Sequence, residues 1–211
     1  MIFDKKSLVL YAITDRAWTD KMPLTEQVKL ALQGGVTCVQ LREKELDEES
    51  FVKEAVEIKK ICSEYGVPLI INDNVNVAVK SGADGVHVGI EDTPVAEIRR
   101  KVGRNFIIGA TAKTASQALT AEKEGADYLG VGAVFPSPTK QNALRITNEN
   151  LREICLSVSI PCVAIGGITL ANIEKIKNCH ISGVAVVSAI FSADDIKTAA
   201  EQLKNKAEQI I

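Results

Sequence analysis

Apolar residues gather into short solid runs at 8–13, 37–42, 69–71, 85–88, 106–109, 128–131, 162–165 and 183–187. None alternates cleanly with polar residues, the mark of strands covered on both faces in a parallel sheet. Between the runs stand stretches of helical character at 23–32, 47–65, 75–80, 114–123, 147–158, 170–177 and 193–207. A further helix opens at Thr93-Pro94, with proline in its first turn. Punctuation agrees with the periods. Gly34-Gly35 closes the first helix, and Gly66 and Pro68 stop the second. Gly-Ala-Asp recurs at 82 and 125, each time just before a strand, which hints at an internal repeat of two units. Strand and helix thus alternate eight times, with a period of about 26 residues. The expected fold is α/β, an eight-stranded parallel β/α (TIM) barrel forming a single domain over residues 1–211. A doubly wound open sheet is the second choice, weakened because no Gly-x-Gly-x-x-Gly follows the first strand.

One run breaks the scaffold pattern. Gly130-Val131-Gly132-Ala133-Val134 passes directly into Phe135-Pro136-Ser137-Pro138-Thr139-Lys140. Two glycines in a buried strand mark a close approach, and two prolines end it and stiffen the loop. Two hydroxyls and an ammonium on such a loop suit an oxyanion.

Composition narrows the chemistry. The net charge of −2 argues against a nucleic-acid or acidic-membrane surface. No apolar run approaches the ~20 residues that a bilayer span requires, and the first residues carry no secretory pattern, so a cytoplasmic protein is expected. The five cysteines form no Cys-x-x-Cys pair and read as free, buried thiols. With only two histidines, serine–histidine or cysteine–histidine catalysis has little to draw on. Asp, Lys, Arg and a metal remain.

In a β/α barrel the site lies at the carboxyl ends of the strands. The second strand leads to Gln40, Arg42 and Lys44, which at period two leave on one face; the third ends in Asn72 and Asp73. The fourth supplies His87, expected to be a satisfied core histidine, and Asp92; the fifth supplies Thr111. The sixth supplies Ser137, Thr139 and Lys140, the seventh Gly166-Gly167 and the eighth Ser188. Arg42, Lys44 and Lys140 are cations able to converge on one anion. Asp73 and Asp92, from neighbouring strands, suit a shared Mg²⁺, which takes oxygen ligands and keeps room for substrate phosphate. Gly166-Gly167 and Val187-Ser188 form the phosphate corner, with 188–191 short enough to be the extra helix found there. Bland readings stand beside these. Asn72-Asp73 serves equally well as a cap for the helix at 75, and Asp15, Asp47 and Asp127 read as caps or solvated turns. Trp18 and Phe135 read as packing. A diphosphate-and-metal site beside a monophosphate site implies an enzyme that joins two phosphorylated small molecules with loss of diphosphate.

These stretches, together with Tyr11-Ala12-Ile13-Thr14-Asp15, Gln40-Leu41-Arg42-Glu43-Lys44, Gly85-Val86-His87-Val88-Gly89 and Ile165-Gly166-Gly167-Ile168, make the chain resemble the thiamine-phosphate synthase family over nearly its whole length. The resemblance implies a Mg²⁺-dependent transferase that joins 4-amino-2-methyl-5-hydroxymethylpyrimidine diphosphate to 4-methyl-5-hydroxyethylthiazole phosphate. It implies Asp73 and Asp92 as metal ligands, and Gln40, Arg42, Lys44, Asn72 and Lys140 as pyrimidine-diphosphate contacts. Thr111 lies where the family has serine near the pyrimidine. Ser137 and Thr139 supply hydroxyls, and Gly167, Val187 and Ser188 the thiazole-phosphate site. Catalysis would rest on Arg42, Lys44, Lys140 and Thr111. Ile90 and Asn142 depart from the family's usual glutamine and aspartate. Competing readings are a thiazole tautomerase-like isomerase leaning on His87, another phosphate-sugar barrel such as an epimerase, and a non-catalytic phosphate-ligand sensor. Homo-oligomerisation is left open; no nucleic acid or membrane partner is expected.

Overall fold

A computed structural model describes residues 4–136 and 144–211. Its eight strands are β1 (Leu10–Ile13), β2 (Cys38–Leu41), β3 (Leu69–Asn72), β4 (Gly85–Val88), β5 (Ile107–Ala112), β6 (Tyr128–Gly132), β7 (Cys162–Ile165) and β8 (Gly183–Val186). All pair in parallel in sequence order, and β1 closes on β8 with Ala12 opposite Val186, so the sheet is a closed barrel. The helices are α1 (Leu24–Gln33), α2 (Glu48–Glu64), α3 (Val75–Ser81), α4 (Val95–Val102), α5 (Ala115–Glu124), α6 (Asn148–Ser157), α7 (Ser188–Phe191) and α8 (Ile196–Ile210). The expected barrel is therefore present, and so is the short extra helix after β8.

The solid apolar runs divide two ways once the sheet closes. Residues such as Leu10, Ala12, Val39, Leu41 and Ile71 pack against the helices. Their neighbours Tyr11, Ile13, Cys38, Ile70, Tyr128, Val163 and Ala185 fill the barrel. Alternation is real, but both faces are buried, so it is invisible as polarity.

The two Gly-Ala-Asp repeats prove to be one device used twice. Gly82 and Gly125 take left-handed φ of 69° and 98° to end α3 and α5. Asp84 then accepts from the backbone N–H of Leu69 at 2.7 Å and from Lys59. Asp127 accepts from Ile108 N–H at 2.7 Å and from Arg99. Each carboxylate latches the start of the preceding strand, at the barrel end away from the strands' carboxyl termini. Asp127 is thus neither a helix cap nor a solvated turn.

Several boundaries differ from expectation. Residues 5–8 form a 3₁₀ turn capped by Asp4, so β1 starts later than the apolar run. Pro94 takes the N-cap rather than the first turn of α4. β5 passes through Gly109 to Ala112, because that glycine makes room for a neighbouring ring rather than ending the strand. The helix expected at 170–177 is a single 3₁₀ turn, Ile173–Ile176. Asn172 there bonds the backbone of Thr169 and Gly167, which competes with helix formation. Asn178 and His180, at φ 67° and 57°, break the chain behind it. The last helix begins at Ile196, where Asp195 caps it through Thr198 N–H at 2.9 Å, instead of at 193.

Candidate functional site

Those residues singled out in the sequence that the structure describes collect at the carboxyl ends of the strands. β2 ends at Leu41, so the period-two argument reaches only Gln40; Arg42 and Lys44 stand on the loop beyond. Gln40 is buried and its amide Nε2 donates to the Tyr11 hydroxyl at 2.8 Å. Arg42 is held at both ends: its N–H donates to Thr14 Oγ1 at 3.0 Å and its guanidinium to Asp15 Oδ2 at 3.0 Å. Lys44 Nζ pairs with Asp73 Oδ2 at 2.7 Å. Arg42 and Lys44 therefore engage separate carboxylates.

Glu43 ties this loop to its surroundings. Its side chain is almost fully buried and accepts from the N–H groups of Lys44 (2.8 Å) and Glu45 (3.1 Å), and from Arg16. Arg16 also reaches Glu54 on α2 at 2.8 Å. Burial works to raise the Glu43 carboxyl, but the two backbone donors and Arg16 outweigh it and hold it below the usual carboxylate range. Burial raises Glu54 instead, and its Oε2 is buried without a partner among the described residues. The Arg16–Glu43 clamp thus sets the backbone from which Lys44 reaches Asp73.

Asp73 follows β3 in a left-handed conformation, φ 60°, with its N–H bonded to His87 O at 2.8 Å. That places its side chain at the rim. The cap of α3 is Asn74, whose side chain accepts from Val77 N–H, so Asn72 and Asp73 are not the capping pair. Asn72 lies half-buried at the end of β3, opposite His87. Asp92 turns back to accept from Gly89 N–H at 2.6 Å. Desolvation raises the Asp92 carboxyl, the Gly89 bond opposes it, and Asp73 adds to the rise through both charge and a shared hydrogen bond. Two acidic groups thus face one another with Lys44 beside them. A cavity of about 400 Å³ opens next to Asp73, between α3 and α4, bounded by Asn74, Thr93, Glu97 and Lys101; it takes in no other predicted site residue. Ile90 is exposed at the same rim.

Across the mouth, Gly166 and Gly167 follow β7 with φ 103° and 62°. A side chain at Gly167 would strike the carbonyls of Phe135 and Pro136, so the start of the sixth-strand loop rests on this turn. Asn172 fixes the turn by donating to Gly167 O at 2.9 Å. Val187 and Ser188 stand at the N-terminal end of α7. Phe135 packs on the core, as does Trp18. Ser137, Thr139, Lys140 and Asn142 lie outside the described residues.

His87 is buried inside the barrel, as expected. Its Nδ1 is 3.1 Å from the Tyr128 hydroxyl and its Nε2 is 3.1 Å from Thr111 Oγ1. Burial pushes it from 6.5 down to about 4, with Asp73 opposing weakly, so the ring is neutral at pH 7. Sequence reasoning missed Tyr11, Tyr128, Arg16, Glu43 and Asn172. The chain has only three tyrosines, and two fall inside strand runs; that scarcity was the one signal pointing to Tyr11 and Tyr128. Asp15 caps a 3₁₀ turn and also holds Arg42. The five cysteines are free and buried. No helix among the described residues is long and apolar enough to cross a membrane.

Residues 10–190 match a family profile described as thiamine monophosphate synthase. A thiamine-phosphate synthase of Ruminiclostridium cellulolyticum is 46% identical over 199 residues, 94% of this chain and 95% of that one. Another, from Pyrococcus abyssi, is 42% identical over 98% of both chains. The solved structure of a thiamine phosphate pyrophosphorylase from Pyrococcus furiosus superposes with a TM-score of 0.90, at 39% identity and 98% coverage of each chain. A 3-hexulose-6-phosphate synthase structure, 17% identical with a TM-score of 0.66, shares the fold alone.

Proposed function

The chain belongs to the thiamine monophosphate synthase family, and from that premise we propose that it joins 4-amino-2-methyl-5-hydroxymethylpyrimidine diphosphate to 4-methyl-5-hydroxyethylthiazole phosphate. The products are thiamine phosphate and diphosphate. The observation that carries this reading is the rim cluster in which Lys44, Asp73 and Asp92 meet. Such a cluster suits a diphosphate and a divalent ion, and a glycine turn suited to a monophosphate lies across the mouth from it.

The donor set fits Mg²⁺. Two carboxylates face each other, and oxygen ligands of this kind suit a hard cation. Asp73 and Asp92 would hold the ion, leaving its other positions to water and phosphate oxygens. Bound there, Mg²⁺ would supply positive charge to the diphosphate oxygens.

The residues themselves have three tasks. Lys44, Arg42 and Lys140 stabilise the charge that builds on diphosphate as the bond between the pyrimidine methylene carbon and the diphosphate oxygen breaks and its electron pair leaves with oxygen. A cation at ~4 Å contributes about 4 kcal/mol at an effective dielectric near 20. Gln40, Asn72 and Thr111 hold the aminopyrimidine, whose ring delocalises the methylene cation. Gly167, Val187 and Ser188 hold the thiazole phosphate so that the ring nitrogen forms the new carbon–nitrogen bond. Ser137 and Thr139 add hydroxyls from the sixth-strand loop. The same reading makes the chain one catalytic domain acting in the cytoplasm.

The deciding experiment mixes the two substrates with the protein and follows diphosphate release with and without Mg²⁺. Release that depends on both substrates and on Mg²⁺ is the expected result. Substrate binding without release would replace the enzyme with a ligand sensor. Lys140→Ala is expected to lose on the order of 10²–10³ in turnover, as when one charge-stabilising donor is removed. Asp92→Asn is expected to shift the Mg²⁺ requirement upward while thiazole phosphate binding, measured by calorimetry, stays as in the parent protein.

A further inference from the structure

Inside the barrel, five side chains from five strands form a continuous chain of hydrogen bonds. Gln40 Nε2 lies 2.8 Å from the Tyr11 hydroxyl, which lies 2.8 Å from the Tyr128 hydroxyl. Tyr128 lies 3.1 Å from His87 Nδ1, and His87 Nε2 lies 3.1 Å from Thr111 Oγ1. The space is built for it. A side chain at Gly109 would fall on the Tyr128 ring and on His87 Nδ1, and one at Gly130 would come within 3.0 Å of His87 Cε1. The two rings contact each other at 5.5 Å between centroids, and Tyr11 meets Tyr128 edge-on at 5.9 Å. Both ends, Gln40 and Thr111, are residues assigned above to the pyrimidine; the three middle members have no assigned part.

The donors set a direction. An amide nitrogen only donates, so the Tyr11 oxygen accepts from Gln40, which leaves its own hydrogen able to pass to Tyr128. Burial pushes both phenols well above their ordinary range, so both stay protonated and each has a hydrogen to give. A relay running in that direction has Tyr128 give its hydrogen to His87 Nδ1, 3.1 Å away. A His87 ring whose Nδ1 accepts carries its proton on Nε2, which is placed to donate to Thr111 Oγ1 at 3.1 Å. On that relay Thr111 Oγ1 keeps a hydrogen to give, and at the other end Gln40 keeps its Oε1 as an acceptor.

We propose that Tyr11, Tyr128 and His87 are positioning residues forming a one-way hydrogen-bond relay, which fixes Gln40 as the acceptor and Thr111 as the donor that read the pyrimidine. An aminopyrimidine offers an amino donor and a ring-nitrogen acceptor, which matches. Its 4-oxo counterpart offers a carbonyl acceptor and an N–H donor, which is the inverse. The relay therefore selects the amino form without any middle member touching the substrate. The identity of the ligand rests on the proposed function; the direction of the relay does not.

The test uses both levels. Nitrogen-15 NMR of the whole labelled protein, which has two histidines, reads the His87 tautomer directly, with no substrate needed. Nε2 protonated and Nδ1 bare is expected at pH 7; a proton on Nδ1, or on both nitrogens, overturns the relay. In Tyr128→Phe the tautomer is expected to lose its fixed form. KM for the pyrimidine diphosphate should rise about ten-fold with kcat within about two-fold, the size of one lost hydrogen bond expressed in uniform binding. Rejection of the 4-oxo analogue should weaken by about the same factor. Tyr11→Phe breaks the chain one bond earlier and serves if Tyr128→Phe does not fold. An unchanged tautomer together with unchanged KM and selectivity in the folded variant overturns the proposal. Failure of the wild-type protein to release diphosphate would overturn the proposed function while leaving the tautomer result to stand.

Discussion

At the rim, Lys44 and Asp73 meet with side chains 53% and 32% exposed. One layer below, Tyr11 and Tyr128 share a hydrogen bond at 1% and 0% exposure. Solvent makes the first pair cheap to open, since an exposed ion pair contributes at most about 1 kcal/mol. Burial makes the second costly to open, because each hydroxyl would be stranded away from water. Under the proposed function the rim cations would exchange their carboxylates for incoming phosphate oxygens, while the groups that would read the ring would stay where they are. Exposed charge thus lies at the rim, and buried neutral polarity lies beneath it.

The comparison breaks most sharply at Lys44. Lys44→Ala is expected to lower kcat by about 10²–10³, equivalent to about 2.7–4 kcal/mol of activation free energy. Its thermal midpoint should stay close to that of the parent, because an exposed pair adds little to folding. A variant that loses stability in proportion to activity would show that the rim is as structural as the layer beneath. The buried layer should instead show itself in acid. His87 is neutral in the native state down to about pH 4, whereas in the unfolded chain it binds a proton below its ordinary 6.5. Between those limits the unfolded state holds more protons, so stability falls as pH falls, by about 3 kcal/mol over the window. Urea unfolding at pH 7 and pH 4 should show that loss, and His87→Gln should lose less.

Gly109→Ala tests the space around the same groups. The added methyl falls on the Tyr128 ring and His87, and overpacking of this kind costs about 1–3 kcal/mol. Denaturant midpoints measure it; no change would mean that the rings have room to shift. The smallest effect is expected on the outer surface. Lys53 and Glu49 on α2 pair at 2.9 Å with side chains 72% and 81% exposed, and Lys53→Ala should alter stability by no more than about 0.5 kcal/mol.

Most of the architecture was legible in the chain because burial on both faces leaves a strong local trace: solid apolar runs, separated by helical periods and ended by glycine or proline. Where that trace was weak the reading failed. The stretch at 170–177 has helical composition, yet Asn172 bonds the backbone locally and only one 3₁₀ turn forms. Gly109 looked like a strand end and is instead a gap for a ring on the next strand. At the site, Arg42, Lys44, Asp73 and Asp92 were legible because ionised side chains beside apolar strands announce themselves. Glu43 sat unread in the same motif, since nothing local says that Arg16, 27 residues earlier, will meet it.

The sequence by itself determined the β/α period, the barrel and, among the described residues, which polar side chains stand at the carboxyl ends of its strands. Those depend on patterns within a few residues of one another. Tertiary structure alone decided partners: that Arg42 belongs with Asp15 and Lys44 with Asp73, and that Gln40 and Thr111 are joined through two tyrosines and a histidine. The reason is geometric. Closing eight strands brings Tyr11 within 2.8 Å of Tyr128 across 117 residues of chain, and no local pattern encodes which side chains will share the enclosed space. The run from Gly130 to Pro136 shows both levels at once. Its glycines marked a close approach in the sequence, and only the closed barrel showed that His87 is what approaches Gly130.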